Sequence, residues 1–120
     1  MAKLIEKPSR IEAAGNMEKI IREFVGKVNT ETSAVSIARM ESPTGWEEPG
    51  QTPEFREYTI VLRGFLKAET REATFDVGAG QAFVAEPGEW VRYSSPYEGG
   101  AEYISVCMPA FSPELVQRDK

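Results

Sequence analysis

The sequence predicts an all-β fold, a small barrel or sandwich, on two observations. Beyond residue 55 it reads as strand after strand: "EYTIVLRG", "FLKAE", "EATFDVGAGQAFVAEPGEWVRYSSP" and "AEYISVCMPAF". Gly and Pro punctuate these stretches at the spacing of strands joined by turns, and nothing repeats at a fixed period. A chain of 120 residues suffices for one core and not for two.

Along the chain, residues 1 to 16 are charged and broken by Pro8, Gly15 and Asn16, so they are expected to be loosely ordered. In "MEKIIREFVGKV", Met17, Ile20, Ile21, Phe24 and Val25 sit at helical spacing, while β-branched Val25 and the break at Gly26 favour a strand. Both readings of 17 to 28 stand. "SAVSIARM" reads as a strand, with Val35, Ile37 and Arg39 on one face and Ser36 and Ala38 on the other. Pro43 to Pro53 is a loop, and its Trp46 is expected to fold back as a lid or to touch a ligand. The expected organisation is a single domain. Residues 1–42 give an N-terminal segment and first strands at a barrel edge or dimer contact. Residues 43–111 give the barrel core, and 112–120 a polar tail that packs across the outside or frays.

Charge and composition exclude several function classes. The net charge of -5 leaves no cationic surplus to displace counterions from nucleic acid, or to draw the chain to an anionic membrane. No stretch is long enough to span a bilayer, and the opening residues lack the apolar run of a secretory signal. The single cysteine, Cys107, cannot form an intramolecular disulfide, which fits a reducing compartment. The expected setting is cytoplasmic. There is no histidine, so a cysteine–histidine nucleophile and a serine–histidine triad are both excluded. "GAG" at 78 to 80 precedes a strand rather than a helix, so it is a hairpin turn and not a phosphate loop.

Two stretches carry a family resemblance: "EYTIVLRG" (57 to 64) and "GAGQAFVAEPGEWV" (78 to 91). They are similar to the two motifs of the cupin superfamily, the double-stranded β-helix or jelly-roll barrels. Glu57 falls on the motif glutamate and Gly64 on the glycine that ends its strand. Gly80 and Gly88 match the glycines of the second motif, and Pro87 lies one place from its proline. The tryptophan before the first motif and the "PA" of "CMPAF" closely resemble the histidine-poor cupins of ethanolamine-utilisation type. The resemblance implies a compact antiparallel barrel and a homodimer formed through edge strands.

The departures concern the metal. Histidine positions of the family fall on Gly50 and Thr52, or Gln51 and Pro53, and on Val91. Without imidazoles, the ordinary transition-metal set of three histidines and a carboxylate is absent. No cofactor is expected, although Glu48, Gln51, Glu54 and Glu57 crowd one loop and an atypical divalent metal is an alternative. Strand alternation places Glu57, Thr59 and Val61 on one face, Val91, Tyr93 and Ser95 on another, and Tyr103, Ser105 and Cys107 on a third. Together with Trp46 and Gln51 this makes a pocket for a small organic molecule, in which Trp46, Gln51, Glu57, Tyr93, Tyr103 and Cys107 meet the ligand. Desolvated there, Glu57 becomes a general acid or base for a lyase or isomerase. The plainer alternatives are a Glu57 paired at the surface with Arg56, Arg63 or Arg92, core tyrosines, an inert Cys107, and a barrel packed shut by Val91, Phe83 and Trp90.

Overall fold

The computed structural model of the protein describes residues 1 to 120. Nine strands and one short helix follow in order: β1 (Ser9–Ile11), β2 (Ile20–Val25), β3 (Ser36–Ser42), β4 (Trp46–Glu47), β5 (Arg56–Thr70), β6 (Thr74–Gly78), β7 (Ala82–Ala85), β8 (Val91–Ser95), β9 (Ala101–Met108) and α1 (Pro113–Val116). Every pairing is antiparallel. One sheet runs β1-β2-β3-β9-β5-β7 and the other β4-β8-β5-β6. The two sheets roll against each other into a barrel.

Strand β5 belongs to both sheets. Its first half pairs with β9 and β7, and its second half with β6 and β8. Between them the register slips at Val61 to Arg63, a bulge that adds one residue to β5. The slip reverses the side-chain phase: Glu57, Thr59 and Val61 point inward before it, Leu66 and Ala68 after it. Gly64 follows at φ 75°, where an added Cβ would stand 2.0 Å from the Gly100 carbonyl oxygen. Only a glycine fits both the backbone angle and the gap.

The main core joins Trp46, Val61, Leu66, Ala68, Val77, Ala85, Val91, Tyr93, Ala101 and Tyr103. A smaller cluster of Phe55, Cys107 and Val116 sits beneath α1. The large exposed apolar side chains include Tyr58, Ile60 and Leu62 on β5 with Val84 on β7 and Met108 on β9. They lie on the outer faces of strands and not only at sheet edges, where the dimer contact was expected.

The structure decides two readings of the periphery that were open and changes a third. The 17 to 28 segment contains the strand β2, whose backbone pairs with β1 on one side and β3 on the other. Long-range pairing overrode its helical spacing. Residues 9 to 11, expected to be loose, are paired in the sheet. The tail, read as packing across the outside or fraying, is paired along its backbone with the loop after β4. Thr52 N–H donates to the Gln117 carbonyl, Glu54 N–H to that of Leu115, and Asp119 N–H to that of Gly50. The tail therefore closes one side of the barrel. On β3 the predicted alternation holds, but the buried face is the small polar one, Ser36, Ala38 and Ser42.

The bend at Gly64 gives a test of the architecture. Gly64→Ala should lower unfolding free energy by about 3 kcal/mol in urea titration, through its positive φ and the backbone collision together. Gly80→Ala is the control, also at positive φ but with nothing near its Cβ position. It should cost about 1 kcal/mol.

Candidate functional site

Glu57 is the centre of the barrel interior. It is 9% exposed and none of the protein's ion pairs includes it. The arginines considered as surface partners are engaged elsewhere: Arg56 with Glu86, Arg63 with Glu102 and Arg92 with Glu69. Register explains its neighbours. Glu57 lies opposite Cys107 and Thr59 opposite Ser105 across the β5–β9 ladder. Ser105 Oγ and Cys107 Sγ (3.7 Å) therefore both donate to Glu57 Oε2. Its other oxygen, Oε1, is buried and has no partner in the protein. One edge of the carboxylate is fixed and the other is free to meet something in the cavity.

That cavity measures about 70 Å3 and lies between the sheets. Gln51, Glu57, Tyr93, Tyr103 and Cys107 all line it, beside the apolar walls Ala38, Met40, Phe55, Leu66 and Phe111. Gln51 is held by paired backbone hydrogen bonds to Val91, each 2.9 Å. Its side-chain Oε1 and the Tyr93 hydroxyl, like Glu57 Oε1, are buried without a hydrogen-bond partner. Arg118 Nε is a fourth such atom on the same cavity, and since unpaired buried polar atoms cost about 1–3 kcal/mol each, the four are a directed arrangement. Burial pushes the Tyr93 phenol well above its usual range, with Glu57 and Glu48 adding to the effect, so it stays a neutral hydrogen-bonding group. Burial also raises Tyr103, whose hydroxyl is engaged 2.7 Å from Ser42 Oγ. The Cys107 thiol is driven up by burial and by Glu57, so it acts as a donor and not as a thiolate.

Trp46 is placed differently from the expectation. It is 1% exposed in the core, and its indole N–H donates to the Ala14 carbonyl at 3.1 Å. It pins the N-terminal segment and does not line the cavity. The barrel is not packed shut. Val91 lies in the core wall, Phe83 packs at its margin, and the Trp90 indole turns outward to Asp119 at 2.9 Å.

Three lining residues were not read as site residues from the sequence. Lys19, just before β2, is 7% exposed with its ammonium 4.0 Å above the Trp46 ring centroid. Taken as a strand, 19, 21 and 23 share a face, and Lys19, Ile21 and Glu23 do line the cavity together. The helical spacing hid that signal, and two charges on an inward face run against the usual pattern. Arg118 comes from the tail, where a backbone bridge to Gln51 brings it in. Glu48 was counted only among possible metal donors. In the structure burial lifts its carboxyl to about 7, with Lys19 opposing the rise and Glu57 adding to it.

The donor set does not fit the usual cupin metal. There is no imidazole, and no group of three or more His, Cys, Asp or Glu side chains is assembled. Of the acidic loop, Glu54 faces out to Gln117 at 2.8 Å while Glu48 and Glu57 line the cavity.

Glu48 makes stability depend on pH with a definite sign. Its carboxyl binds the proton more tightly folded than unfolded. Its contribution is thus complete below about 4.5 and is lost as pH rises through about 7. Urea unfolding should show wild type losing about 2 kcal/mol between pH 5 and 8 beyond any loss in Glu48→Gln, allowing for the partly exposed side chain.

No family model matches the chain. A curated relative, endoribonuclease YbeY of Myxococcus xanthus, is 43% identical over 101 residues, covering 84% of this chain and 34% of that protein. The chain thus spans about a third of the relative's length. Among solved structures, a Salmonella typhimurium protein named for ethanolamine utilization, protein Q, superposes with a TM-score of 0.68 at 16% identity, covering 88% of this chain and 98% of its own. The polyketide cyclase RemF of Streptomyces resistomycificus superposes with a TM-score of 0.76 at 18% identity, covering 98% and 85%. At these identities the likeness concerns the backbone, and it matches what the two motifs and the rolled antiparallel sheets indicate. This chain is a cupin-fold protein, and its barrel resembles that of the ethanolamine utilization protein.

Proposed function

We propose that this barrel binds a small organic molecule without a transition metal, with Glu57 as the group that orients it. The observation that supports this most directly is the divided carboxylate. Oε2 is locked by Ser105 and Cys107, while Oε1 is buried and unpartnered beside Gln51 Oε1 and the Tyr93 hydroxyl. A ligand donor reaching Oε1 would gain a charge-assisted hydrogen bond in a desolvated site, worth about 1.5–3 kcal/mol.

The same geometry favours a second reading, a lyase or isomerase. A held carboxylate with one free edge is placed to take a proton. Tyr93, kept protonated by burial, is placed to steady an oxyanion. We assign no nuclease activity to this chain. It has no histidine and no cationic surplus, and it spans about a third of the Myxococcus relative that bears that name.

Elemental analysis of protein purified without chelator or metal-affinity resin should give substoichiometric transition metal; a full equivalent would sink the metal-free reading. In a thermal-shift screen of small polar metabolites, Glu57→Gln should weaken a hit's binding by about tenfold or more. Retained affinity with lost turnover in that variant would instead favour the proton-transfer enzyme. Hits bound equally by wild type and Glu57→Gln, with no turnover, would remove Glu57 from the site.

A further inference from the structure

Lys19 narrows the class of ligand, an inference that rests on the cavity being a small-molecule site. Its ammonium is nearly enclosed, 4.0 Å from the Trp46 ring centroid and 5.1 Å from that of Tyr103. No carboxylate comes within salt-bridge distance of it. Two aromatic faces offset only part of the cost of desolvating the ammonium. The Tyr103 hydroxyl is shared between Ser42 and Lys19 and, being neutral, does not cancel the ammonium's charge. Glu48, the acid that acts on Lys19 through the cavity, holds its proton up to about 7 and so neutralises the ammonium only in part. The cavity therefore presents an under-compensated ammonium, beside the Arg118 guanidinium, whose Nε is buried without a partner.

Arg118 Nε shares the need for an acceptor, and the remaining orphaned groups have the opposite need. Glu57 Oε1 accepts only, and Gln51 Oε1 accepts, so the ligand must bring a donor there, while Tyr93 serves either role. Size limits the rest. One enclosed water needs about 10–15 Å3 on this measure, so 70 Å3 holds a molecule of about five to seven non-hydrogen atoms. The wall formed by Ala38 and Leu66 leaves a short hydrocarbon segment between the polar ends.

We propose that Lys19 binds the carboxylate of a small organic acid of three or four carbons, whose hydroxyl or amino group donates to Glu57 Oε1. A monoanion suits a cavity lined by the cations Lys19 and Arg118 and by the acids Glu12, Glu23, Glu48 and Glu57. A phosphate dianion would bring a second charge toward Glu57 and Glu48.

The test compares lactate, glycerate, alanine and serine with lactamide and methyl lactate, by thermal shift and by saturation-transfer NMR at millimolar concentration. At least one acid should bind wild type, and its neutral amide or ester should bind about tenfold more weakly or not at all. Lys19→Met should lower the acid's affinity by about tenfold or more, and Lys19→Arg should restore part of it. That rescue separates recognition of charge from a general loss of folding. Acid and amide binding alike, an unchanged affinity in a folded Lys19→Met, or inorganic phosphate binding more tightly than every acid would each overturn the assignment. Binding of none of these probes would also overturn it. A screening hit of another class whose binding Glu57→Gln abolishes would then leave the cavity reading standing.

Discussion

The rest of the structure depends on one strand serving two sheets. β5 can do so because the bulge at Val61 to Arg63 and the left-handed Gly64 turn it within a few residues, against the backbone of Gly100. Without that turn the two sheets would have no common strand, and the inward faces of β5 would not lie on one interior. The bulge also decides what that interior contains. Strict alternation continued from Glu57 would carry Arg63, Phe65 and Lys67 inward, whereas the slip sends Leu66 and Ala68 instead. At the cavity the half of β5 before the bend contributes Glu57 and Thr59 and the half after it Leu66, so the cavity has both kinds of wall.

Within that frame the site is built from strand register. Pairing Glu57 with Cys107 brings two weak donors from β9 to a single carboxylate oxygen. The opposite side is closed by parts far away in sequence: Lys19 from the lead into β2, Gln51 from the loop after β4, and Arg118 from the tail. Trp46 links these, carrying the Lys19 ammonium on its ring face and the Ala14 carbonyl on its indole N–H. Its burial is thus structural, and its effect on a ligand passes through Lys19.

Much of the barrel was legible because it is written in short-range pattern. The alternations of 57, 59, 61, of 91, 93, 95 and of 103, 105, 107 each place buried residues on one face, as their period of two demands. Gly64 was legible as a motif position, and its φ shows why it is a glycine. The periphery was less legible. A five-residue helical spacing in 17 to 25 is weak local information, and sheet pairing with β1 and β3 outweighs it. Trp46 in a polar, proline-rich loop was read as a lid or a ligand contact, and nothing in that pattern showed that it would hold the Ala14 carbonyl and the Lys19 ammonium.

The sequence by itself determined the all-β class, the positions of the turns, the inward faces of the strands that carry Glu57, Tyr93 and Tyr103, and the absence of any imidazole chemistry. These follow from the fixed periodicity of a strand, the backbone angles open to glycine and proline, and the functional groups that the residue types carry. Only the tertiary structure decided that Glu57 is held at one oxygen and free at the other, that Glu48 titrates near 7, and that Lys19 and Arg118 face the same cavity. Those are facts of register, desolvation and distance between segments up to a hundred residues apart, and no local pattern encodes them.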